Sequence, residues 1–305
     1  MKKVKLVKKA LLPAVIAVFC SLVALTSVSY AWFQIGNKAY VEAIDVNVQA
    51  ADGVRISADA SSWKSILPVD DLKNKGTASV FPTTDILPMS SVGNVVDGKQ
   101  EMFLGEVLTD GKLKATKDDS NYVAFDLYVD LTSDKEFYLD VESSVIGLAN
   151  NDKNAEYSVR VSFIHVGTVE RGEKTEQELK DGITASTIDQ ACDSTAIIWE
   201  PNASSHIAAV GGNAKLDYYG VKAEGASFDQ TLKEKTDYLD LVKTLIIAES
   251  EQKTTEAVKL FDLKAGYSKL RVYIWLEGQD ADCRTEASGC GFAVNLKFKT
   301  ENPTA

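Results

Sequence analysis

The chain has 305 residues, 45% hydrophobic and 25% charged, the composition of an ordinary globular protein that can bury a sizeable core. Its formal net charge is −11, but five lysines fall among residues 1–31, so the remainder holds 28 basic against 44 acidic groups, or −16. A body of that charge repels phosphate backbones, which argues against general nucleic-acid binding.

Residues 1–31, MKKVKLVKKALLPAVIAVFCSLVALTSVSYA, comprise a basic start, about nineteen mostly apolar residues from Ala10 to Val28, and Ser29-Tyr30-Ala31. Small residues at the first and third of these last positions fit a signal peptide cleaved by signal peptidase between Ala31 and Trp32. The competing reading is a retained anchor, because such a run, at roughly 1.5 Å per residue, nearly spans a bilayer core. Pro13, Ser21, Thr26 and Ser27 weaken that reading. Phe19 precedes Cys20 where lipid attachment wants a small residue, which disfavours a lipoprotein. The expectation is a secreted or cell-surface protein that meets the membrane only through residues 1–31, before cleavage.

The body, residues 32–305, reads as strands. Ile44, Val46 and Val48 alternate with Asp45 and Asn47, and Val54 and Ile56 follow a turn at Asp52-Gly53. Residues 57–101, with Pro68, Pro82, Pro88 and many Ser, Thr and Gly, suggest a surface excursion. In NYVAFDLYVDLT, residues 121–132, Val123, Phe125, Leu127, Val129 and Leu131 share one face. Phe137, Leu139 and Val141 repeat the pattern after TSDKE, which predicts a hairpin. Tyr157, Val159, Val161 and Phe163 predict a further strand. GEKTEQELKDGI, residues 172–183, predicts a short charged helix. Residues 229–249 predict a longer one, with Tyr238, Val242, Leu245 and Ile246 at helical spacing, although TLIIA reads equally as a strand. LRVYIWLEG and GFAVNLKFK predict a closing hairpin, with Leu270, Val272, Ile274, Leu276, Phe292, Val294, Leu296 and Phe298 inward. These short alternating segments predict one all-β domain, an antiparallel β-sandwich with one or two helical insertions and long insertions at 57–101 and 172–265.

Chemistry is sparse. The two histidines, His165 and His206, form no zinc spacing, and His165 is placed at an ordinary strand end. No nucleophile elbow and no phosphate-cradling loop is present. Glu277, Asp280 and Asp282 in EGQDADC offer a weak calcium pattern, and no other cofactor is indicated. Outside the cytoplasm Cys283 and Cys290 could close a disulfide worth about 2.5 kcal/mol. Cys192 is then left over, as a buried thiol or an intermolecular one.

SVSYAWF followed by AYVEAIDVNVQAADG resembles the N-termini of secreted Gram-positive surface proteins processed by a specialised, SipW-type signal peptidase. The group includes the biofilm-matrix fibre protein TasA and the camelysins. The closing LKAGYSKLRVYIWLEGQDADC…FAVNLKF looks like the last strands of Firmicutes surface proteins with the same type of signal. The resemblance implies a jelly-roll-like domain and, as in the fibre-forming members, donation of an N-terminal strand, here within Trp32–Gln49, to the next subunit. Ordinary pairing of that strand within its own chain is the alternative. Camelysin-like members imply a metalloprotease, against which the missing histidine pair counts. The expected function is a non-enzymatic surface or extracellular-matrix structural protein whose partners are other copies or other matrix proteins. The alternative is a monomeric cell-wall glycan module, with Trp63, Tyr128, Trp199, Tyr273 and Trp275 as its candidate aromatics.

Overall fold

The structure is a computed structural model that describes residues 41–50, 54–76, 79–82, 86–108, 110, 112–148, 155–183, 192–202, 218–225, 237–246, 248–249, 252–253, 257–280, 282–283 and 290–303. Ala31, Trp32, Cys20, His206 and the apolar segment therefore lie outside the described residues. Among those described, no helix is long and apolar enough to cross a membrane.

In chain order the strands begin with β1 (Val41–Ala50), β2 (Arg55–Ser57) and β3 (Ile66–Leu67), then a helix α1 (Val69–Lys75). Short strands follow: β4 (Met89–Ser90), β5 (Val95–Val96), β6 (Lys99–Gln100), β7 (Phe103–Val107) and β8 (Leu113–Lys117). The long β9 (Val123–Leu131) leads to β10 (Lys135–Leu139), β11 (Ser144–Gly147) and β12 (Val159–Val169). After helix α2 (Glu176–Gly182) come β13 (Ile197–Trp199), β14 (Tyr218–Val221), β15 (Leu239–Val242), β16 (Ala248–Glu249) and β17 (Gln252–Lys253). The chain closes with β18 (Val258–Leu263), β19 (Gly266–Leu276) and β20 (Cys290–Glu301).

Two sheets enclose the main core. One runs β18-β10-β20-β1-β3, with β11 also on β20; the other runs β13-β12-β19-β9-β2. Apart from Tyr157, which precedes β12 in a 3-10 turn, the alternating sets read from β9, β12, β19 and β20 join one cluster of buried apolar side chains between them. Phe298 marks the junction: its ring stacks on Phe137 of its own sheet at 4.9 Å and meets Phe163 of the facing sheet edge-on at 5.9 Å. Such aromatic contacts add to the burial that drives the sheets together. The expected all-β class is therefore the observed one.

Neither predicted hairpin forms. β9 and β19 belong to one sheet, β10 and β20 to the other, so both connections are corners that cross the sandwich. Alternation places a residue inward without saying which sheet its strand joins, and the three residues 132–134 suffice to turn the corner. The predicted long helix is also replaced. Leu239–Val242 is a strand paired antiparallel with β14, and Leu245 bridges to Trp199. Residues 226–236 lie outside the described residues. The predicted short helix is α2, whose Thr175 hydroxyl accepts from the N–H of Glu178 while the Glu178 carboxylate accepts from the N–H of Thr175, a capping box.

The outer face of the β9 sheet is not solvated. Ala124, Ile164, Val166, Tyr273 and Trp275 form a second cluster with Met89, Met102, Ile198, Tyr218 and Val242. The described part of residues 57–101 is thus no surface excursion: Leu67, Leu72 and Ile86 join the main core, while Met89, Val92 and Val95 build a third layer with the β14-β15 pair. Close approach demands glycine at Gly220, where a Cβ would stand 2.6 Å from the Ser91 carbonyl oxygen.

Candidate functional site

Between the third layer and the β9 sheet lie charged side chains that the sheet pleat points outward and the cover seals in. Arg160 on β12 is 1% exposed. Its Nη2 donates to Glu200 Oε1 at 3.0 Å and to Asp280 Oδ2 at 2.6 Å, and Nη1 donates to the Val159 carbonyl. Its Nε has no hydrogen-bond partner among the described residues. The guanidinium lies 5.1 Å from the Tyr218 ring, and Thr244 Oγ1 donates to the second oxygen of Glu200. Burial disfavours the charge on Arg160, but Glu200 and Asp280 more than offset this and hold it above its ordinary value. The arginine ties β12, the end of β13 and the turn after β19 into one unit.

Glu277, also fully buried, faces the same cluster. Its carboxylate accepts from the Trp275 indole at 3.0 Å and from the Gln279 N–H at 3.0 Å. Burial pushes its carboxyl up to about 7 against those hydrogen bonds and the pull of Arg160. Backbone bonds from Glu277 to Ser158 and from Gly278 to Met89 fasten this turn to the rest of the cluster.

The carboxylates read as a calcium pattern are thus turned inward. Asp280 is engaged by Arg160 and by the Asp282 N–H, Glu277 by Trp275, and Asp282 is itself buried. Among the described residues no group of three His, Cys, Asp or Glu is arranged to hold a metal ion. The expected Cys283–Cys290 disulfide is not formed: Cys283 is a free thiol, 1% exposed, within the field of Asp280 and Glu277, and burial pushes its ionisation well up. The turn that carries Cys283 folds into the Arg160 cluster while β20 opens on the opposite sheet. The side chain of Cys290 lies outside the described residues. Cys192 is free and half-buried.

His165 is not at a strand end but within β12, 3% exposed, its Nε2 2.9 Å from Thr168 Oγ1 and its ring 6.0 Å from Phe261. Burial lowers its imidazole to about 4, so it is neutral over most of the pH range. Of the five aromatics named as ligand candidates, Tyr128, Trp199, Tyr273 and Trp275 are buried, and only Trp63 reaches the surface.

Two further ionic groups line the same face of β9. Asp126 takes Arg271 through both oxygens, at 2.7 and 3.1 Å, and Lys269 at 3.1 Å. Asp130 takes Arg55 and Arg171. Sequence reading passed over Arg160, Glu200, Asp126, Asp130 and Arg271 because a charge on the polar face of an alternating strand looks solvated. The signal available was opposite charge recurring on that face of several strands, Asp126 and Asp130 against Lys269 and Arg271.

The last element of interest is β1. It pairs within its own chain, the alternative to strand donation, running parallel to β20 with Ile44 beside Phe292 through Ala50 beside Phe298, while its other edge takes β3 at Val48 and Gln49. β20 is paired along its opposite side by β10 and β11. Comparison with family models, with curated proteins and with solved structures found no match to this chain.

Proposed function

We propose that this protein is an exported surface or matrix protein of the TasA and camelysin kind, with a jelly-roll-like sandwich, that acts by contact and joins its subunits through β1. One observation supports this above all: the first described strand fills a parallel seat beside the last strand. Phe292, Val294, Leu296 and Phe298 are fully buried on β20, so an empty seat would bare the main-chain edge of a strand that anchors the core. A strand must fill it, and main-chain pairing is indifferent to whether that strand comes from the same copy or another. Residues 51–54 are the sole link from β1 to β2, so an exchanged β1 brings neighbouring subunits into direct contact. The sealing of the Arg160 and Asp126 clusters and of four candidate aromatics favours a structural role over a glycan cleft in the middle of the β9 sheet.

N-terminal sequencing and sizing of the protein recovered from culture medium test this reading together. The expected result is a chain beginning at Trp32 that forms assemblies larger than one copy. An intact chain, Met1 included, soluble inside cells would refute it.

A further inference from the structure

We propose that the surface around Trp63 binds a carbohydrate ring bearing an anionic group. A clamp at the end of the β9 sheet forms this surface, independently of assembly through β1. The Asp130 side chain is fully buried and receives Arg55 on one oxygen and Arg171 on the other, the latter at 2.6 Å. Their side chains are 53% and 39% exposed. One carboxylate neutralises one guanidinium, so the three-residue clamp itself carries one positive charge on a body of net negative charge. Each guanidinium carries five N–H groups in a planar fork, and Asp130 engages one nitrogen of each.

Beside the arginines stands an aromatic wall. Trp63 packs against Tyr267 with centroids 5.5 Å apart, and the Arg55 guanidinium lies 5.9 Å from the Trp63 ring. The rings rest on a buried floor of Ala60, Tyr128, Val169, Leu179 and Ile183. Tyr267 donates from its hydroxyl to the Gly172 carbonyl, which fixes the segment next to Arg171. The neighbouring acid Asp59 is turned toward Ser57, Ser61 and Ser62, while Glu170 and Glu173 border Arg171 in the sequence.

The chemistry follows from these parts. A sugar ring lays its C–H groups against the half-buried edge of the Trp63 and Tyr267 pair, and its carboxylate or phosphate takes N–H bonds from Arg171 or Arg55. Asp130 holds both guanidiniums before the ligand arrives, which lowers the ordering cost of binding. Asp130 is fully buried, so the two arginines also keep its charge paired, and a test variant has to leave it one of them.

The test titrates the full chain with a uronate-containing oligosaccharide, a phosphorylated sugar of the same length and the neutral analogue, following tryptophan fluorescence and heat. Either anionic ligand should saturate the protein, and the tighter of the two identifies the source of the anion. The neutral analogue should bind at least about tenfold more weakly, and added salt should weaken anionic binding. Arg171→Gln and Trp63→Phe should each weaken binding by about tenfold, with thermal unfolding recorded alongside to show that each variant is folded at the temperature of the titration. Arg171→Lys, which keeps the charge and loses the fork, should fall between wild type and Arg171→Gln. Equal affinity for the neutral analogue, unchanged binding by Arg171→Gln and Trp63→Phe, or no saturation by either anionic ligand at millimolar concentration would overturn the proposal.

Discussion

Arg160→Met should destabilise the protein by about 3–5 kcal/mol, because it leaves Glu200 and Asp280 buried without their cation. The unfolding midpoint should fall by roughly 10 °C for a body of this size. The loss belongs to the stranded carboxylates more than to the missing side chain. Adding Glu200→Gln and Asp280→Asn to Arg160→Met should therefore recover a large part of it, and a double-mutant cycle measures how much. If the triple variant were as unstable as the sum of its parts, the cluster would not be acting as a unit.

The second large effect is pH-dependent and comes from two buried groups with opposite signs. Glu277 ionises near 7 in the folded protein, above its ordinary value of 4.5. Its contribution is fully present below 4.5 and is lost as pH rises through 7. His165 ionises near 4, below its ordinary 6.5. Its contribution is present above 6.5 and is lost as pH falls through 4. Each displacement corresponds to about 3 kcal/mol. Over the shared window, from 4.5 to 6.5, the two slopes cancel and the wild type should have a nearly level stability. Glu277→Gln removes the loss at high pH, so its stability relative to wild type should rise by about 3 kcal/mol between pH 5 and pH 8. His165→Gln should lose stability from pH 5 to about 7 and level off above it. Denaturant unfolding at several pH values reads both, and a Glu277→Gln difference that did not change with pH would contradict the assignment.

The inward faces of β9, β12, β19 and β20 were legible in the sequence because period-two alternation reports burial directly. Sheet membership was not. Leu131 and Phe137 both point into the core, yet from opposite sheets, and only the corner between them decides this. The polar faces misled for a related reason. Alternation in β9 is real, but Asp126, Tyr128 and Asp130 face a protein layer and not water. That layer comes from parts of residues 57–101 and 192–245, whose described strands run only two to four residues, too short to leave a periodic trace. The same cover turned Glu277 and Asp280 from an apparent ligand loop into partners of Trp275 and Arg160. Trp63 alone among the proposed ligand aromatics kept its surface position, because it sits in a bend at the end of the sheet and not on a covered strand.

The claim that subunits join through β1 is tested most directly by cysteines at Asn47 and Asn295, which are direct partners in the parallel pairing of β1 and β20. Neighbouring strands lie roughly 4.8 Å apart, within disulfide range. The pair is introduced with the native cysteines replaced by serine, and oxidised material is run without reductant. The account predicts a ladder of covalently linked copies from the assembled fraction and a single intrachain-bridged species from dilute monomer. Assemblies that carry only intrachain bridges would contradict it, because β1 would then never leave its own sheet.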